Sequence, residues 1–155
     1  MPTVYINIGS NIGDRHAQIE RAVARIAALE GVEGVRCSTP YESEPWGFAS
    51  AHRFINVGVA FESALPPLTI LDHMQRIERE IADAPHRNPD GTYRDRPIDI
   101  DIIAIGRTTL VTPGLTLPHP RAGMRDFVMV PLRELAPAAL TEWIVDMTIT
   151  PANIL

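Results

Sequence analysis

The sequence predicts an α+β fold in which helices pack on an antiparallel sheet. Three observations carry that expectation. Several short stretches alternate apolar and polar residues with period two. Two others carry an apolar stripe at helical spacing. The stretches follow one another in the order β-α-β-β-α-β. A length of 155 residues fits one domain, 1–155, and 45% apolar content supplies a core. The net charge of −5 argues against a general nucleic-acid binder. No apolar run approaches the about 18 residues of a membrane span, and the start MPTVYINIGS lacks the pattern of a signal peptide. A single cysteine, Cys37, excludes an internal disulfide and suits a reducing compartment. A cytoplasmic monomer is expected.

Residues 4–8 read as the first strand, with Val4, Ile6 and Ile8 alternating with Tyr5 and Asn7. Asp14 is placed to N-cap the following helix, which runs to about Leu29; Ala17 cannot complete a capping box. Ile19, Ala22, Val23 and Ile26 form its stripe, and Gly31 is placed to end it. Residues 32–41 read as a second strand with imperfect alternation, and residues 53–62 as a third. The loop SEPWGFASAH joins them. Pro66-Pro67 opens a second helix, since proline is tolerated in a first turn. Its buried stripe is Ile70, Leu71, Met74, Ile77 and Ile81, while Gln75 and Glu78, three apart, share a neighbouring face. Residues 83–95, DAPHRNPDGTYRD, have no periodicity and read as a mobile loop. Beyond the acidic strand, residues 110–111 and 115–117 are short extended pieces. LPHPRAGMRDF is a loop, and residues 127–135 are helical. The tail from Ala138 is too weakly patterned to assign. The arrangement is the ferredoxin-like one, with a helix-bearing C-terminal extension.

The chemistry centres on DRPIDIDIIAIG, from Asp95 to Gly106. Its isoleucines favour an extended, packed backbone. Residues i and i+2 of a strand share a face, so Asp99 and Asp101 stand side by side, roughly 6.5–7 Å apart at Cα. Ile103 and Ile105 are expected to continue that face into a core. Paired carboxylates repel unless a cation lies between them, and oxygen ligands of this kind suit Mg2+. Arg96, His119, Arg121 and Arg125 stand in flanking loops. Carboxylate-held metal combined with arginine forks is equipment for a polyphosphate. No P-loop, nucleophile-elbow or zinc spacing is present.

GSNIGD near the start, the R-P-I-D-I-D-I-I run and LPHPRAGMRDFVMVPLRELAP together resemble the 6-hydroxymethyl-7,8-dihydropterin pyrophosphokinase family over residues 4–137. The resemblance implies a ferredoxin-like α+β fold. It also implies transfer of pyrophosphate from ATP to the pterin hydroxymethyl group in folate synthesis, with release of AMP and two Mg2+ ions. It implies that Asp99 and Asp101 bind metal. It implies that Gln75, Glu78, Arg96, Ile102, Thr116, His119 and Arg125 contact ATP. For the pterin, the matching positions are Ser43, Glu44, Trp46, Phe54, Asn56 and Phe127. A flat heterocycle suits two aromatic rings, and its amide edge suits a group that both donates and accepts.

The departures lie in residues 83–95. The commoner family pattern there has arginines and a Trp-Gly-Pro before the motif arginine; this chain has Ala84, His86 and Arg87, then Tyr93-Arg94-Asp95. Arg87 is the first candidate to bring positive charge over the phosphates when the loop closes; Arg94 competes for the role but sits beside Asp95. The expected partners are ATP and the pterin alone, with neither nucleic acid nor membrane. Two other functions compete on the residues alone: a different metal-dependent nucleotide transferase, and a non-catalytic ferredoxin-like ligand-binding module.

Overall fold

The computed structural model describes residues 1–43, 53–82 and 98–148. The elements are β1 (Thr3–Ser10), α1 (Arg15–Ala27), β2 (Glu33–Cys37), β3 (Tyr41–Ser43), β4 (Phe54–Glu62) and α2 (Pro67–Ile81). They are followed by β5 (Asp99–Ile105), β6 (Leu110–Val111), β7 (Thr116–Leu117), α3 (Asp126–Leu135) and α4 (Ala138–Thr148). The main sheet is antiparallel throughout, in the order β2-β4-β1-β5, with β3 continuing beside β4. With β2 and β3 counted as one interrupted strand, this is the ferredoxin-like order expected. β6 and β7 form a separate two-stranded ribbon. Among the described residues no helix is long and apolar enough to cross a membrane.

Alternation gives the sheet two different faces. One is apolar along its whole length: Val4, Ile6 and Ile8 of β1, Val57, Val59 and Phe61 of β4, and Ile100, Ile102 and Ile105 of β5. Against it lie Ile19, Ala22 and Ile26 of α1 and Ile70, Met74 and Ile77 of α2. The Asp14 carboxylate caps α1 by accepting from the Ala17 N–H. The other face is apolar only at one end, where Tyr5, Ala60, Ile103 and Ala104 meet Val128, Met129, Leu132, Leu140 and Ile144 of α3 and α4.

Two expectations need correction, and a third stretch, left unassigned above, gains a structure. The strand expected over residues 32–41 is two strands, because Ser38-Thr39-Pro40 leave the ladder. Cys37 faces Val59 and Tyr41 faces Asn56, so β2–β3 carry one residue more than β4 between those pairs. Buried Ser38 turns its hydroxyl onto the Gly58 N–H at 2.8 Å, Thr39 donates through N–H and Oγ to Glu134 of α3, and Pro40 has no N–H to offer. Second, Ile105 does not share the face of Asp99 and Asp101. Ile6 pairs with Ile102 but Tyr5 pairs with Ala104, so Ile103 is an extra residue and the faces exchange beyond it. Third, the tail from Ala138 forms α4. Its apolar residues surround the helix without a clean stripe, and Leu140, Thr141, Ile144 and Thr148 are the buried ones.

α3 is seated directly on β4. A Cβ built on Gly58 would lie 3.1 Å from Pro131 Cβ and 3.3 Å from the Pro131 carbonyl carbon and oxygen. The backbone of Gly58 has no strained φ, so only the helix stands in the way of a side chain. Gly58→Ala is therefore expected to lose about 1–3 kcal/mol of stability, the usual range for overpacking, read as a lower urea midpoint with unchanged slope. A stabilised variant would mean that α3 can lift off the sheet freely.

Candidate active site

The other end of the second sheet face is polar, and the register sets it out in rows. Tyr41, Asn56, Gly9 and Asp99 form one row across β3, β4, β1 and β5. Gly58, Asn7 and Asp101 form the next, and Ala60, Tyr5 and Ala104 begin the covered part. The acidic pair therefore sits at one side of a shallow floor and the amide of Asn56 at the other. Gly9 lies between them. A Cβ there would be 2.9 Å from Asn56 Oδ1 and 3.3 Å from Phe54 Cδ1, so the side chains of Asn56 and Phe54 can lie over this buried position only because it carries none.

Asn56 is 3% exposed. Its Nδ2 donates to Ser43 Oγ at 2.9 Å, which orients the amide across the β3–β4 pair. Phe54, two residues before Asn56 on the same strand, shares its face. The first turn of α3 overhangs this corner with Phe127, and the Arg125 guanidinium lies 5.6 Å from the Phe127 ring centroid. Tyr41, Glu42, Ser43, Arg53, Arg125 and Phe127 are among the residues lining an open cleft of about 450 Å³ here.

The outer edge of β5 is held from two sides. The Glu78 carboxylate, from α2, accepts the Ile100 N–H at 2.8 Å. The Ile103 carbonyl, at the bulge, accepts the His119 N–H at 2.8 Å. His119 follows the cis Leu117–Pro118 peptide. Its Nδ1 accepts the Arg121 N–H at 3.2 Å. Burial, with Arg125 and then Arg121 nearby, lowers its pKa to about 4 despite an opposing backbone hydrogen bond, so the imidazole is neutral near pH 7. Behind this loop, the Gly123 N–H donates to Thr148 Oγ, so the end of α4 braces the short 3-10 turn Ala122–Met124 that precedes Arg125.

The chain matches the family 7,8-dihydro-6-hydroxymethylpterin-pyrophosphokinase (HPPK) over residues 5–137. It belongs to that family. It is 45% identical over 138 residues to the 2-amino-4-hydroxy-6-hydroxymethyldihydropteridine pyrophosphokinase of Porphyromonas gingivalis, covering 88% of this chain and 92% of that one. It is 35% identical over 131 residues to the enzyme of the same name from Bacillus subtilis, covering 84% and 76%. In fold it is similar to Plasmodium falciparum HPPK-DHPS, solved with SDX-DHP, with a TM-score of 0.65 at 12% identity. That similarity covers 94% of this chain and spans 43% of the Plasmodium chain.

The fold of this HPPK chain brings together Ser43, Phe54, Asn56, Phe127, Asp99 and Asp101 on or above one end of the sheet, with Arg125 over Phe127. Glu78, Ile102, Thr116 and His119 gather instead along the outer side of β5, with exposed Gln75 three residues before Glu78 on α2. Glu44, Trp46, Arg87 and Arg96 lie outside the described residues. Two contributors escaped the sequence: Gly9 and Asn7. The signal for Gly9 was present, since a glycine inside a strand marks close approach. Asn7 showed only as a polar residue in alternation.

The depressed pKa of His119 makes a pH prediction. Its folded pKa of about 4 lies below the ordinary 6.5. The unfolded chain therefore takes up a proton that the folded chain refuses. The contribution of His119 to stability is complete above pH 6.5 and is lost as pH falls toward 4. His119→Asn is expected to flatten the fall in unfolding free energy across that window, measured by denaturant midpoints against pH. An unchanged slope would assign the acid sensitivity to other groups.

Proposed function

We propose that the polar end of the sheet is where this chain transfers the pyrophosphoryl group of ATP to the hydroxymethyl oxygen of 6-hydroxymethyl-7,8-dihydropterin. The observation that carries this is the pair of register partners of Gly9: Asn56 on one side and Asp99 on the other. Two strand spacings, about 10 Å, separate them. A bicyclic pterin anchored at Asn56 can lie over Gly9 and direct its hydroxymethyl arm toward the acidic pair.

On the pterin side, Ser43 takes one amide hydrogen of Asn56. The other hydrogen and the carbonyl can then donate to and accept from the heterocycle edge. Phe54 offers an aromatic surface from the sheet and Phe127 another from α3. Glu44 and Trp46 are proposed to complete this half.

On the nucleotide side, the ladder places the Ile100 N–H on the outer edge of β5, where Glu78 holds it. Strand alternation puts the N–H and carbonyl of Ile102 on that same edge, suited to the rim of an adenine. Thr116, neutral His119, Gln75 and Glu78 flank the edge. Arg125, Arg96 and Arg87 are proposed to supply charge to the phosphates.

Asp99 and Asp101 fit a divalent cation of the Mg2+ type. Both are half-buried, share a face and stand next to the proposed phosphate positions. Two protein carboxylates suffice for an ion that fills its remaining positions with water and phosphate oxygen. When bound, such ions neutralise phosphate charge. In the reaction the pterin oxygen forms a bond to the β-phosphorus, the bond from that phosphorus to the α-β bridging oxygen breaks, AMP leaves, and the hydroxyl proton is released. The protein residues bind the two substrates in line, hold the ring flat and keep the phosphates oriented.

Asp99→Asn and Asp101→Asn are each expected to lower AMP formation from ATP and the pterin by at least about a hundredfold, with unchanged circular dichroism. Turnover at the parent rate in either variant would remove the acidic pair from the mechanism. AMP formation itself separates this enzyme from a non-catalytic binding module.

Asn56→Ala should weaken pterin binding by roughly ten- to a hundredfold, the cost of a lost buried hydrogen-bond partner. ATP affinity should hold, as measured by calorimetry on each ligand. Equal weakening of both ligands would make Asn56 a structural residue.

A further inference from the structure

Asn7 is a polar residue in the middle of β1, flanked by Ile6 and Ile8, and it is 5% exposed. Asparagine is a poor strand former, so its presence there calls for a specific partner. Its Nδ2 donates to the Phe127 carbonyl at 2.9 Å, across 120 residues of sequence. The reason that carbonyl is available lies four residues further along α3. In an unbroken helix the Phe127 carbonyl accepts from the N–H of residue 131. Here residue 131 is Pro131, inside the helix, with no N–H and with a ring that crowds the carbonyl four residues back. Asn7 replaces the missing donor from the sheet.

We infer that Asn7 is a positioning residue for the pterin half of the site, acting through the Phe127 carbonyl that Pro131 leaves without a helical donor. A second observation supports the role. Asn7 is the register partner of Asp101 on β5 and of Gly58 on β4, the residue on which Pro131 rests. One side chain thus ties the first turn of α3 to the row that carries Asp101. The bond fixes the backbone from which the Phe127 ring projects, and Arg125 lies over that ring two residues earlier. The inference rests on the proposed role of Phe127 as a wall for the pterin.

The test is a double-mutant cycle on equilibrium pterin binding, measured by calorimetry with a non-hydrolysable ATP analogue present. Asn7→Ala is expected to weaken pterin binding about tenfold and to leave affinity for the ATP analogue within about twofold. In Pro131→Ala the helical N–H returns, so adding Asn7→Ala to that background is expected to cost less than about twofold. This second background also keeps the test open if Asn7→Ala alone folds poorly, with thermal midpoints recorded for all four proteins. The Phe127 carbonyl carbon shift, read without any ligand, should move in Asn7→Ala and move much less when the same change is made on Pro131→Ala.

Phe127→Ala serves as the control for the proposed pterin wall. If it weakens pterin binding while Asn7→Ala does not, the positioning role of Asn7 is overturned and the role of Phe127 stands. An equal cost of Asn7→Ala in both backgrounds would overturn the positioning role in the same way. If Phe127→Ala has no effect on pterin binding, the roles of Phe127 and Asn7 fall together.

Discussion

The site depends on the close seating of α3 on the sheet at Gly58. Pro131 rests close over Gly58 of β4, where a Cβ would lie 3.1 Å from its own Cβ. That contact decides how far the helix stands from the sheet. Val128, Met129 and Leu132 then close the apolar half of the face, and the first turn of α3 overhangs the polar half. Thr39 gripping Glu134 holds the same helix from the side, at the point where the edge of the sheet divides into β2 and β3. The irregularity in that edge is thus part of how the helix is held.

The second sheet face changes character along its length, and the change separates core from cleft. Tyr5, Ala60 and Ala104 form a row that must be covered. One row on come Gly58, Asn7 and Asp101; one row further come Asn56, Gly9 and Asp99. Burying ionised carboxylates under a helix without compensation would be costly. The helix layer reaches over Gly58 and Asn7 and leaves the two aspartates of β5 half-buried. The other face carries no such break, and its continuous core with α1 and α2 supplies the rigidity on which the open floor rests.

Around β5 the binding features are joined to the features that hold the strand. The Glu78 carboxylate is committed to the Ile100 N–H, between the two aspartates. The bulge at Ile103 leaves a carbonyl that His119 uses to attach its loop. Burial and two arginines keep the His119 imidazole neutral. A neutral ring with Nδ1 accepting from Arg121 has Nε2 as its donor, suited to a phosphate or ribose oxygen without adding charge.

The strands, the two amphipathic helices and the acidic pair were legible from the sequence because each rests on a local period. Val4, Ile6 and Ile8 alternate, Ile70, Met74 and Ile77 recur at helical spacing, and Asp99 and Asp101 are two apart. The metal and ATP candidates were named as types for the same reason: paired carboxylates and clustered arginines announce their chemistry in one dimension. Tertiary structure decided what depends on partners far along the chain. The bulge at Ile103 exchanged the faces beyond it, and no residue type at 103 announces that, because the register is a property of β1 and β5 together. α4 was hidden because a helix apolar on most sides has no stripe to read, and only packing against α3 and the 3-10 turn selects its buried side. Asn7 stood in plain view as a polar residue in a strand. Its partner is 120 residues away, and the donor it replaces is removed by a proline in another element, so its purpose exists only once β1 and α3 meet.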